Sequence, residues 1–144
     1  MKIIHEMRLK GPWEYCWKSP DLSAEQLGCP LEGRLKVPVT WSECFGDRAG
    51  VVIWSRRFQE PTNLDTTERV MIAAPQLAGV VQVRLNHTPL PHDEQPETGF
   101  RFDVTELLAP SNVLEIEMEC TSESQSQSRG MTEAAVIEIW SLVG

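Results

Sequence analysis

FRFDVTELLAPSNVLEIEMEC, residues 100–120, reads as a strand, a tight turn with a helical start, and a second strand. Phe100, Phe102 and Val104 fall on one face of the first strand. In the second, Leu114, Ile116, Met118 and Cys120 point inward while Glu115, Glu117 and Glu119 point outward. Strict period two belongs to antiparallel sheets with one solvated face. Between the strands, Asp103 and Thr105 each offer an oxygen to unpaired backbone N–H groups at the start of Glu106-Leu107-Leu108. Pro110, Ser111 and Asn112 end that turn.

The same pattern extends outward in both directions. His5, Met7 and Leu9 alternate with polar neighbours before a Gly11-Pro12 break and the run Trp13, Tyr15, Trp17. Residues 19–33 carry turn residues, prolines and glycines, which suits a surface connection with one short helical turn. Leu35, Val37 and Val39 alternate again, and Pro38 assigns them to an edge or a strand end, because proline cannot donate to a ladder. GVVIWSRRFQEP, residues 50–61, begins apolar on both faces, as in a strand covered on both sides. Residues 69–74 and 80–85 follow as strands, with Val81, Val83 and Leu85 inward and Gln82 and Arg84 outward. In the turn Asn86-His87-Thr88-Pro89, His87 sits where glycine would relieve a positive φ. Residues 91–99 are a polar loop, TSESQSQSR at 121–129 is expected to be a mobile one, and residues 134–143 close the chain as a strand. Seven or eight short strands without a long helix predict an all-β fold, an antiparallel β-sandwich or jelly roll, as one domain over residues 1–144.

A chain of 144 residues is long enough to bury about 68–70% of its unfolded surface in one core. Its net charge of −8 opposes binding to nucleic acid or to an acidic membrane surface. The stretch MKIIHEMRLKGPWEY lacks the apolar centre of a secretory signal and no segment is long enough to span a bilayer, so the cytoplasm is the expected compartment. Cys16, Cys29, Cys44 and Cys120 have no CxxC spacing, and His5, His87 and His92 are dispersed. Reduced thiols and no metal site are expected. No nucleophile elbow, zinc-protease helix, phosphate loop or calcium loop is present, so the chain is expected not to be an enzyme and to need no cofactor.

In order and spacing, nearly the whole chain resembles the sugar-binding domain at the amino terminus of family 2 glycoside hydrolases, the β-galactosidase and β-glucuronidase group. The matching text is Leu9-Lys10-Gly11-Pro12-Trp13, Val37-Pro38-Val39-Thr40-Trp41, and residues 50–61 with Trp54, Arg56 and Phe58. It continues with Val83-Arg84-Leu85-Asn86, residues 102–108 and Asn112-Val113-Leu114. The resemblance implies a galactose-binding-like jelly roll. Family members continue past the point matching Gly144 into an immunoglobulin-like domain and a (β/α)8 barrel, and the resemblance places the catalytic carboxylates in that barrel. None of the carboxylates here inherits that role. RGMTEAAVIEI, residues 129–139, departs from the family's lead into its last strand, which puts any sugar contact from that segment in question.

A carbohydrate is therefore the leading ligand class. Sugar binding needs an aromatic plate and polar groups presented by loops. Trp41 is the candidate plate, with Asn86, His87, His92 and Asp93 as polar groups. Trp54 and Trp140 are expected in the core, Trp13 and Trp41 nearer the surface, and Arg56 in an internal ion pair or a stack on a tryptophan. The alternative is a protein-interaction or homo-oligomerisation domain pairing through an exposed edge around Val37 to Trp41, and a third reading is a detached glycosidase subunit.

Overall fold

The two strands read from residues 100–120 lie in different sheets. In the computed structural model, which describes residues 2–18, 25, 28–74, 77–91, 99–121 and 129–142, β8 (Phe100–Asp103) belongs to one sheet and β9 (Ser111–Cys120) to the other. A 3-10 turn, Thr105–Leu107, carries the chain across. The four-stranded sheet runs β1 (Lys2–Arg8), β10 (Val136–Ser141), β5 (Glu68–Ala74), β8. The six-stranded sheet runs β3 (Glu32–Lys36), β2 (Pro12–Trp17), β4 (Gly50–Gln59), β9, β6 (Val80–Leu85), β7 (Thr88–Leu90). Every pairing is antiparallel. The fold is the all-β sandwich expected.

Alternation explains the core. Leu114, Ile116, Met118 and Cys120 are fully buried, and so are Val52, Trp54, Val70, Ile72, Val83 and Leu85 from neighbouring strands. On β4 the opposite face is half-covered at Val51 and Ile53. β3 is an edge strand ending before Val37, as Pro38 required. All four cysteines are thiols.

One end of the core is a cluster of rings. The helix α1 (Trp41–Phe45) starts with a capping box in which Thr40 Oγ1 accepts from Glu43 N–H at 3.1 Å and Glu43 Oε1 accepts from Thr40 N–H at 3.0 Å. It places Trp41 and Phe45, four residues apart, on one inward face. Phe45 lies 5.0 Å from Tyr15, 5.0 Å from Trp17 and 5.1 Å from Trp41 between ring centroids, all edge-on. Residues 129–131 run alongside. Trp41 N–H donates to Arg129 O and Val39 N–H to Met131 O, both at 2.8 Å. Gly130, at φ +103°, is needed there, since a Cβ would sit 2.4 Å from Trp41 N.

Several expectations are corrected. Val81 is 47% exposed because a bulge between Val80 and Gln82 turns it outward. Glu117 is buried on the outer face, held by Lys18 at 3.2 Å and Arg84 at 3.2 Å. Asp103 does cap, accepting from Thr105 N–H at 3.1 Å. Thr105 Oγ1 instead accepts from Val70 N–H at 2.9 Å, tying the turn to β5. Arg56 donates to the carbonyls of Lys10, at 2.9 Å, and Arg57; no ion pair or ring stack holds it among the described residues.

Candidate functional site

The residues singled out from sequence do not converge. Trp41 has no exposed surface; its Nε1–H donates to Arg48 O at 2.7 Å and its ring packs against Trp17 and Phe45. An indole sealed inside the sandwich cannot stack on a ligand, which removes Trp41 as the plate. Trp13 is likewise fully buried. Asn86 is occupied structurally: its side chain accepts from Val113 N–H at 2.9 Å and donates to Asn112 Oδ1 at 2.9 Å and to Leu107 O at 3.2 Å. His87 is open to solvent at φ +70°, with Nδ1 3.6 Å from Glu115. His92 and Asp93 lie outside the described residues. The edge around Val37 to Trp41 is not open either, because Arg129 and Met131 occupy its backbone donors.

The four-stranded sheet builds a different constellation on its outer face. Residues opposite each other in a ladder share a face, and the registers set Arg8, Val136, Ala73 and Arg101 in one row, Glu6, Glu138, Met71 and Asp103 in the next, and Ile3, Trp140 and Arg69 in a third. Arg101 grips Glu138 with two hydrogen bonds, Nε to Oε1 at 2.7 Å and Nη2 to Oε2 at 3.1 Å. The same guanidinium lies 5.5 Å from the centroid of the half-buried Trp140 ring. Trp140 Nε1–H completes the triangle by donating to Glu138 Oε1 at 2.9 Å. Burial by itself would raise the Glu138 carboxyl. The Arg101 and Trp140 hydrogen bonds and the guanidinium charge outweigh it and hold the group below its ordinary value.

Beside this triangle an open recess of about 310 Å³ is lined by Ala73, Gly99, Phe100, Arg101, Val136 and Glu138. The small side chains of Ala73 and Val136 leave the space, and Arg101 and Glu138 give it a polar wall. In the row of Trp140, Arg69 bridges Asp103 at 2.9 Å and Glu106 at 2.8 Å. For Asp103 the burial penalty is likewise overcome, by Arg69 and Thr105, and its carboxyl also sits below the usual range. Among the described residues no three His, Cys, Asp or Glu side chains could hold a metal ion, and no helix is long and apolar enough to cross a membrane.

Trp140 corrects the expectation of a core residue, and the signal was in the text. Ile137 is the buried apolar residue of β10, so Glu138 and Trp140 share the opposite parity, Glu138 being buried there beneath Arg101 and Trp140. A carboxylate two positions before a tryptophan marks the pair as outward.

The sandwich matches part of several solved glycosidases. It superposes on the FMN-binding β-glucuronidase from Faecalibacterium prausnitzii L2-6 with TM-score 0.74 and 19% identity, covering 96% of this chain and 23% of the other. The β-D-mannosidase from Dictyoglomus thermophilum matches with TM-score 0.71 and 12% identity over 96% and 23%. The rhamnosidase from Novosphingobium sp. PP1Y matches with TM-score 0.69 and 14% identity over 96% and 16%. The chain thus spans less than a quarter of each of these three proteins, and at such identities the likeness is one of fold. No protein-family model matches the sequence, and no curated protein does.

Proposed function

We propose that this chain is a non-catalytic accessory module of the glycosidase sandwich type, and that it holds a carbohydrate in the recess beside Trp140, Arg101 and Glu138. The observation that carries the reading is the triangle itself: a half-buried indole, a bidentate arginine–carboxylate pair and an open recess on one face. The recess offers apolar surface from Ala73, Phe100 and Val136 to a sugar ring and the Arg101–Glu138 pair, braced by Trp140, to its hydroxyls. For this recess, the non-catalytic reading is supported by the direction of the shifts of its two nearby carboxyls. Glycoside hydrolysis by a carboxylate pair needs one acid kept protonated, whereas Glu138 and Asp103 are both held as anions.

The test is a glycan-array screen followed by fluorescence titration of the hits, run in parallel on Trp140→Ala. Saturable binding that weakens at least tenfold in the variant, without turnover of the bound glycan, is expected. No binding to any glycan, or binding indifferent to Trp140→Ala, overturns the proposal.

A further inference from the structure

We propose that β1 is a self-complementary edge that pairs with β1 of a second copy of this chain, antiparallel across a two-fold axis at Met7. The ladder fixes which groups are available. Leu9 N–H donates to Ala135 O at 2.8 Å, and the register continues through Arg8↔Val136 and Met7↔Ile137. Hydrogen-bonded pairs alternate in an antiparallel ladder, so Met7 and His5 turn their backbone groups toward β10, while Glu6 and Arg8 turn theirs away. β1 ends its sheet, and those outward groups have no backbone partner among the described residues.

Side chains then choose the register. With the axis at Met7, Glu6 of each copy faces Arg8 of the other, and both pairs exchange two backbone hydrogen bonds. An axis at His5 sets Lys2 against Arg8, and one at Glu6 sets Glu6 against itself; both juxtapose like charges. Registers nearer the amino end run into the shift between Ile3 and His5. Neither Glu6 nor Arg8 has an ion-pair partner among the described residues. Within the chain Glu6 lies in the field of Arg101, whose guanidinium Glu138 engages. Met7, 42% exposed between Glu6 and Arg8, would meet Met7 of the second copy at the non-hydrogen-bonded pair, where strands approach to about 4.5 Å between Cα atoms. Ile4, 48% exposed on the same strand, adds apolar surface next to the seam. So short a seam falls below the roughly 1,200 Å² of a standard interface, which makes the dimer weak and concentration-dependent.

Sedimentation velocity over a wide concentration range tests this, with circular dichroism confirming that each variant is folded. The wild type is expected to pass from monomer to dimer as concentration rises. Glu6→Arg and Arg8→Glu singly should each raise the dissociation constant at least tenfold, and the two together should restore it. A wild type that stays monomeric throughout, a dimer indifferent to Glu6→Arg, or a double variant that fails to recover would each overturn the proposal.

Discussion

Trp41 and Trp54 are both shut inside the sandwich, yet their indole N–H groups fare differently. Trp41 donates to Arg48 O, whereas Trp54 Nε1 finds no acceptor among the described residues. A buried donor without a partner carries its desolvation cost uncompensated, of the order of 1–3 kcal/mol. Replacing each by phenylalanine removes similar volume but a different polar group. Trp41→Phe is therefore expected to cost about 1 kcal/mol more than Trp54→Phe, as read from paired urea melts. The sequence marks both as large and apolar. It cannot rank their burial, because Trp41 owes its position to a helix hidden within apparent strand text. The signal for that helix was Thr40-x-x-Glu43, which the alternation of Leu35, Val37 and Val39 overshadows.

At the scale of elements, the β6–β7 turn shows a local rule broken and a price taken. Leu85 pairs with Thr88, so Asn86 and His87 form a two-residue turn with both φ values positive, +51° and +70°. Such turns favour Asn-Gly. His87→Gly is expected to stabilise the domain by about 0.5 kcal/mol, relief of the left-handed strain outweighing the added freedom of the unfolded chain. Asn86→Ala should cost about 1–3 kcal/mol, since it strands Val113 N–H and removes the side-chain donor to Leu107 O and to the buried Asn112 Oδ1. Denaturant midpoints of the two variants, moving in opposite directions, check both. The turn was legible because both residues are local. Val81 was not, because a bulge is set by the partner strand and leaves no mark in the alternation.

For the whole molecule, two sheets with one solvated face each were readable from period two and turn spacing. The pairing of first with last strand was not, since nothing local encodes a partner at the opposite end of the chain. For the same reason the Arg101–Glu138–Trp140 site escaped: its members come from β8 and β10, brought into line by β5. That site also makes stability depend on pH. A carboxyl whose native value lies below the ordinary 4.5 stabilises the fold above that value and loses its contribution as pH falls through the native one. Glu138→Gln should be less stable than the wild type by about 1–2 kcal/mol at pH 7, a modest figure because Arg101 is half in water. The difference should close as pH is lowered from about 5 toward 3, followed by thermal melts across that range.

Among the described strands β1 has a single neighbour, β10. On the ribosome this is a long wait. At about 5–20 residues per second, β1 spends on the order of ten seconds between its own synthesis and that of β10 with no ladder to join. Residues 129–131, which close over Trp41, arrive almost as late. The nascent chain therefore carries Ile3, Ile4 and Met7 and an unsealed ring cluster until β10 has been synthesised, so the four-stranded sheet closes only after the six-stranded one has all its strands.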